Sequence, residues 1–492
     1  MTRPYFQLGA GGAAAKLLGG VREILLAHFF GTGRAADAYR GSLSLTLSPV
    51  HLITSRVVQT CFVPLYAGYA EKEEEKGVAL FQSILVLFLT LGAILGAALY
   101  LLAPAVVGIV LKGFDPGRAT LTIQMLRIMA VGIPFYVYCS VLGALDTAQK
   151  RFIIPSLRPG LQNLGMVVMI VVAARGGAPA LAAYGFTGAY VILSVWATLL
   201  LLRGNRLPLR PRLEPAVLRE VWARLWILVR PLLLLSLLIE GNILVERYVS
   251  SLLGPGRVAA VDYARFLTET IHFLLTVPLG IMGLSLFAGI SEAEMEAKAD
   301  RQLSLLLLGL IPVSAFLLLN GRPVLSLVYM RGSFGEASLL LTQRALLGFA
   351  AGLSFFSASY LLQRILNARL RNGTVLRAEG LSIGLSVAFN LLLYRHLGVL
   401  VVGLAIAVGS LASLVYYLAS LRLSLARARR ALLPLLAALP LYVVASCAVR
   451  TLLGDGAIVL LAQVPLLLLF YAALLLHRDL RGLIQKDAGE VE

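Results

Sequence analysis

Charge is scarce in this sequence: 14% of its 492 residues are Asp, Glu, Lys or Arg, against 59% hydrophobic residues, at a mean hydropathy of +0.87. That balance excludes a soluble globular body, because no core of this length hides so many apolar side chains. Cysteine is almost missing. Cys61, Cys139 and Cys447 each stand inside an apolar run with no CxxC spacing, which excludes a disulfide framework and gives no support to a metal site. Five histidines are too few and too scattered for a zinc centre. There is no Walker loop, no GxSxG elbow and no GxGxxG between a strand and a helix, so the chain reads as no enzyme, without cofactor or metal. The opening MTRPYFQLGAGGAAAKLLGG lacks the short apolar core of a secretory signal, and the N-terminus is expected to be retained.

What is abundant is the apolar run of about 18 to 25 residues, the length a helix needs to cross the hydrocarbon of a bilayer. Such runs are expected near 7–30, 41–66, 79–102, 121–146, 152–174, 178–202, 226–250, 260–288, 302–319, 338–364, 376–394, 398–421, 431–453 and 456–477. The fold class is therefore an all-α polytopic membrane protein with about fourteen transmembrane helices. A net charge of +18 suggests nucleic acid only until its placement is considered. Lys150 and Arg151, Arg203 to Arg219, Arg369 and Arg371, and Arg422 to Arg430 crowd the even-numbered loops. The positive-inside rule then puts those loops and both termini in the cytoplasm, and no nucleic-acid partner is expected. The acidic EKEEEK at 71–76 reads as a solvated turn.

A repeat underlies the runs. GTGR at 31–34 followed by DAYR at 37–40 is echoed by GPGR at 254–257 followed by DYAR at 262–265. Leu121, Thr122, Gly132, Phe135, Ala148 and Arg151 return 220 residues later as Leu341, Thr342, Gly352, Phe355, Ala368 and Arg371. Each half holds about six helices, an even number, so the copies share one orientation, the plan of an alternating-access transporter. The expected division is a six-helix lobe over 1–215, a second over 216–425, and a two-helix appendage with a tail over 426–492.

Ionisable residues inside spanning helices cost about 2.5 to 3.5 kcal/mol each on insertion scales, so they normally face protein or water. Here they gather in the first two helices of each half: Lys16, Arg22, Glu23 and Arg56, then Glu240, Glu246, Arg247, Asp262, Arg265, Glu269 and His272. Lys16 and Arg22 fall on related faces of one helix. Arg265 and Glu269 stand at i and i+4, where a direct pair is possible, whereas the adjacent Arg22 and Glu23 point apart and are not expected to pair simply. The cluster reads as a cationic cavity for an anionic head group, with guanidinium forks suited to pyrophosphate oxygens. The competing reading is interhelical ion pairs that hold the lobes in register. Arg127, Arg158 and Arg377 lie nearer helix ends, where snorkelling is the expectation, and His272 reads as a satisfied interior histidine.

Five stretches stand out: VREILLAHFFGTGRAADAY at 21–39, VERYVSSLLGPGRVAAVDYA at 245–264, PLGIMGLSLFAGIS at 278–291, YMRGSFGEASLLLTQRALLGFAAGL at 329–353 and RILNARLRNGTVLRAEGLSIGLSVAFNLLL at 364–393. In their order and spacing they resemble the MurJ/MviN lipid II flippases of the MOP exporter superfamily. The resemblance implies two six-helix lobes around a cationic cavity, the last two helices forming a groove for an undecaprenyl tail. It implies alternating access that moves undecaprenyl-pyrophosphate-linked peptidoglycan precursor from the cytoplasmic to the periplasmic leaflet of a bacterial inner membrane, beside membrane lipids and cell-wall synthesis machinery. By position, Arg22 matches a cavity arginine, Lys16 stands where the family has another, and Asp37 and Glu269 match acidic positions. SPVHLITSRVVQTCFVP at 48–64 departs from the family, leaving His51 and Arg56 as its positive groups, and Arg265 precedes by one residue the family's arginine position at Phe266. Asn390 matches one of the family's sodium ligands but Tyr394 replaces a carboxylate four residues on, which speaks against sodium itself; Glu240 and Asn390 are the candidate ion-coupling residues. The expected driving force is membrane potential or a monovalent cation. The alternatives are a flippase for another undecaprenyl-linked exopolysaccharide or O-antigen unit, and a non-transporting envelope-synthesis scaffold.

Overall fold

A computed structural model describes residues 2–54, 61–208, 214–280, 287, 290–423 and 425–476. Among them are fourteen long helices: α1 (Thr2–Phe30), α2 (Arg34–Thr54), α3 (Glu74–Leu101), α4 (Pro116–Ala148), α5 (Ile153–Arg175), α6 (Tyr184–Arg203), α7 (Pro215–Leu252), α8 (Arg257–Leu275), α9 (Glu292–Tyr329), α10 (Glu336–Ala368), α11 (Asn372–Leu397), α12 (Leu400–Leu421), α13 (Ala426–Leu453) and α14 (Leu460–Leu476). In a bilayer only a structure that satisfies its own backbone can span, and helices do so segment by segment. The chain is a multi-pass membrane protein. Ten of the helices are long and apolar enough to cross a membrane, and α7 is an eleventh candidate, bent by 47° between Pro215–Arg230 and Leu233–Leu252. The helices outside those ten are α1, α2, α7 and α8, the first two of each repeat: α7 is set apart by its bend, and α1, α2 and α8 carry charged residues within their length.

The repeat is visible in the backbone. The helices α4 and α10 have 33 residues each, displaced by 220. Both end in the same turn, with Lys150 at φ 60° and Leu370 at φ 56°. The amide of Arg151 donates to Asp146 O at 2.8 Å, and that of Arg371 donates to Leu366 O at 2.9 Å, closing the final turn in the manner of a Schellman motif. Helix neighbours recur too: α3 with α4, α4 with α6 and α5 with α6 in the first repeat, then α9 with α10, α10 with α12 and α11 with α12 in the second.

Two compact units result, one of residues 1–259 with 331–334, the other of 260–330 with 335–492. The first runs past the 215/216 division drawn from the repeat, because α7 packs on α2 and α3. Within the second unit, α10 and α12 meet through small residues: a Cβ on Gly403 would collide with the Gly348 backbone, and one on Gly352 would stand 2.8 Å from the Ala407 Cβ. Close approach of this kind replaces the hydrophobic drive that lipid removes. α9 overruns the 302–319 span expected at both ends, and it is broken at Asn320 (φ −112°, ψ 20°), one residue past that span. The fully buried Asn320 amide donates to Ser446 Oγ at 3.4 Å and Gln463 Oε1 at 3.5 Å, linking α9 to the appended α13 and α14.

Candidate head-group site and its polar lobes

The charge of α1 is organised around Glu23, whose side chain is 1% exposed. Arg22 Nη2 donates to Glu23 Oε1 at 2.7 Å, so the adjacent residues do pair: the flexible guanidinium stem folds back over the turn that separates their Cβ directions. From α2, Arg40 Nη1 donates to Glu23 Oε1 at 3.1 Å and its Nη2 to Oε2. Two guanidiniums thus converge on one carboxylate. Arg22 also donates from Nη1 to Asn163 Oδ1 on α5 at 2.9 Å, while Asn163 is oriented by its own bond to Ala15 O at 3.0 Å. Arg22 remains 17% exposed against 7% for Arg40, so Arg22 is the member able to meet a ligand. Lys16, half-buried on the same helix, lies toward the N-terminus of α1.

Asp37 is fully buried and engaged on three sides. Its carboxylate accepts from Arg118 Nη1 at 3.1 Å, from the Gly256 amide at 2.6 Å and from the Ala259 amide at 2.9 Å, joining the start of α2 to α4 and to the first turn of α8. A carboxylate at a helix N-terminus satisfies donors the helix itself cannot. Deeper in this unit, His51 Nε2 lies 3.1 Å from Tyr136 Oη, and its Nδ1 3.8 Å from Glu240 Oε1. Arg158 does not snorkel: its guanidinium lies 4.4 Å from the Tyr136 ring centroid and 5.6 Å from that of Tyr190, where two aromatic faces attract it. Arg127 does turn outward, donating to Tyr100 O at 3.2 Å on the exposed surface.

In the second unit, Arg265 lies over the Phe349 ring at 5.4 Å, and Glu269 is exposed one turn on along α8. His272 Nδ1 is 2.9 Å from Ser357 Oγ, the satisfied interior histidine expected. Asn390 is fully buried, and among the described residues neither its Nδ2 nor its Oδ1 has a hydrogen-bond partner, nor has the Ser386 hydroxyl one turn before. Glu379, not singled out in the sequence, accepts from Gln363 Nε2 and Tyr417 Oη, each at 3.0 Å. Arg56 lies outside the described residues. Arg40 and Arg118 were also missed as partners, and for Arg40 a signal existed: it closes the DAYR whose echo ends in Arg265.

The family model described as lipid II flippase MurJ matches residues 26–472. The chain belongs to the MurJ lipid II flippase family. Relatives include a probable lipid II flippase MurJ of Rhizobium meliloti, 24% identical over 420 residues, covering 81% of this chain and 76% of its own length. The probable lipid II flippase MurJ of Thermotoga maritima is 25% identical over 409 residues, covering 82% of this chain and 81% of the relative. Among solved structures, a lipid II flippase MurJ in an inward closed conformation superposes with a TM-score of 0.81 at 17% identity, covering 95% of this chain and 97% of the other. An inward-facing multidrug resistance MATE transporter of the MOP superfamily gives 0.68 at 15% identity, over 85% and 96%. The MurJ fold is thus matched along almost the whole chain, as the repeat and the fourteen helices imply.

Proposed function

We propose that this chain carries lipid II, a polyprenyl-pyrophosphate-linked saccharide, from the cytoplasmic to the periplasmic leaflet of the bacterial inner membrane by alternating access. The match to the MurJ family over residues 26–472 carries the reading. It assigns transport, not catalysis, and a role in peptidoglycan synthesis. The site follows from the charge organised by Glu23: Arg22, held by Asn163 and still partly exposed, receives pyrophosphate oxygens, and Lys16 adds a second cation on the same helix. Taken by itself, the second unit offers Arg265 and Glu269 as its own candidate polar groups. Both termini lie in the cytoplasm, and enzymes of cell-wall synthesis supply and consume the cargo. Coupling runs through the membrane potential or a monovalent cation.

Complementation of a strain depleted of its own lipid II flippase tests this. Growth and normal cell shape are expected with the wild-type chain and not with Arg22→Ala at equal membrane abundance. Failure of the abundant wild-type chain would sink the reading in favour of another undecaprenyl-linked saccharide as cargo.

A further inference from the structure

Arg158 of α5 is a half-buried guanidinium inside a membrane-spanning bundle. It lies 4.4 Å from the Tyr136 ring centroid and 5.6 Å from that of Tyr190, with the Cys139 thiol close by. Arg22, Arg40, Arg118 and Arg206 of the same unit each meet a carboxylate, namely Glu23, Asp37 with Asp115, or Asp146. Among the described residues no carboxylate lies within ion-pair distance of Arg158. We propose that Arg158 is a further binding residue for the pyrophosphate of the cargo, a deepening that rests on the flippase reading.

A cation at spanning depth is costly unless something compensates it, and such residues mark substrate and ion pathways. Two aromatic rings attract the Arg158 charge through their quadrupoles without cancelling it. A guanidinium also keeps its N–H donors in a fixed fork that fits the oxygens of a phosphate. The clasp is itself held in place. Tyr190 Oη donates to Gln162 Oε1 at 2.6 Å, one turn along α5 from Arg158, and Tyr136 Oη is 3.1 Å from His51 Nε2. The two rings lie 4.6 Å apart between centroids, so the cation is presented from a fixed aromatic pair and not from a free stem. An arriving anion supplies the charge that the rings lack, and the side chain loses little freedom on meeting it.

Position along the seam of α1 and α5 gives Arg158 its place in the cycle. A Cβ on Gly11 would stand 2.5 Å from Ser156 O, and one on Gly19 would stand 3.5 Å from Asn163 Nδ2, so the two helices rise together. Lys16 falls between those two contacts. Arg158 precedes Asn163, the residue that holds Arg22, by five positions, which is about 7.5 Å nearer the turn at Lys150 and Arg151. With that turn in the cytoplasm, as proposed, a head group entering from the cytoplasmic side meets Arg158 first, then Lys16 and Arg22. His51 reaches the same Tyr136 from α2, so an arginine at position 51 would bring its charge to the same tyrosine.

The test uses the full chain in nanodiscs, with undecaprenyl pyrophosphate as the probe, undecaprenol as its uncharged counterpart, and native mass spectrometry to read binding. Arg158→Ala is expected to weaken binding of the pyrophosphate about tenfold and to leave undecaprenol binding unchanged. Adding His51→Arg to that variant is expected to restore the affinity to within about threefold of wild type, a rescue that an arginine serving only to pin α5 to α4 and α6 does not allow. Should Arg158→Ala not fold, Arg158→Lys, which keeps the charge but not the fork, is expected to weaken pyrophosphate binding about threefold. An Arg158 variant that folds and binds the pyrophosphate as tightly as wild type overturns the inference. So does an equal loss for both lipids, or a double variant no better than Arg158→Ala. A wild-type chain that binds the pyrophosphate through Arg158 but does not sustain a strain depleted of its lipid II flippase keeps the subsite and overturns lipid II as the cargo.

Discussion

Glu23 is 1% exposed while the Arg22 beside it is 17% exposed, and this difference separates the consequences of changing the residues around it. Removing Arg22 takes away the guanidinium proposed to meet the head group and leaves Glu23 paired with Arg40. Arg22→Ala is therefore expected to lower lipid II flipping by about tenfold or more while the thermal unfolding midpoint in detergent changes little. Removing Arg40 instead strips the carboxylate of its bidentate partner. Breaking a buried pair from one side costs about 3 to 5 kcal/mol, so Arg40→Ala is expected to lower the unfolding midpoint markedly, and Glu23→Gln on that background to restore part of it. A double variant no more stable than the single one would show that the pair does not hold α1 to α2. Arg22 and Glu23 were legible in the sequence because charges within apolar runs are conspicuous. Which charges converge was not. Adjacent residues diverge at Cβ, and only the folded bundle shows that a long stem cancels that divergence, or that Arg158 finds Tyr136 and Tyr190 in place of the interface.

The repeat that the sequence displays as matched letters is, in the helices, a repeat of terminations and contacts. The turn at Lys150 and the turn at Leu370 close with the same bonds because each must reverse a 33-residue helix into its neighbour. At the start of α4, Asp115 caps the helix: its Oδ1 accepts from the Arg118 amide at 3.0 Å and its Oδ2 from Arg118 Nε at 2.6 Å, which hold this carboxyl below its usual range. A lowered carboxylate contributes stability that is present above its ordinary value near 3.8 and is lost as pH falls through the depressed one. Asp115→Ala should therefore cost about 1 kcal/mol at neutral pH, and the gap to wild type should close in acid, as read by thermal unfolding at a series of pH values. A gap unchanged in acid would remove the carboxylate from the account. The contact between α10 and α12 is less forgiving. Gly403→Leu drives a side chain into the Gly348 backbone and is expected to abolish monodisperse protein, whereas Gly384→Leu on α11, where a Cβ meets nothing within 4 Å, is expected to behave as wild type in size-exclusion chromatography.

At the scale of the molecule, fourteen helices and two repeats were readable because apolar length and loop charge are written locally, while the packing boundary at 259/260 was not, since it depends on which neighbours α7 chooses. The junction with the appendage was likewise hidden. Asn320, Ser446 and Gln463 lie 143 residues apart at their extremes, yet Ser446 Oγ donates to Gln463 Oε1 at 2.8 Å, Gln463 Nε2 donates to Ser446 O at 2.8 Å, and both meet the amide at the break in α9. Interhelical bonds of this kind in lipid are worth about 0.6 kcal/mol on average, so the group is too weak to account for the attachment of α13 and α14 by itself. Its use is positional, because it fixes the appended pair at the point where α9 departs from helical geometry. Replacing all three polar side chains with apolar ones of similar size, as Asn320→Leu, Ser446→Ala and Gln463→Leu, removes the bonds without stranding a buried polar group. The triple variant is thus expected to fold with an unfolding midpoint near that of wild type. If α13 and α14 guide the long tail of the cargo, the same variant should flip full-length lipid II several-fold more slowly and a short-chain lipid II analogue at the wild-type rate. Equal slowing of both substrates would place the defect in the lobe and not in the handling of the tail.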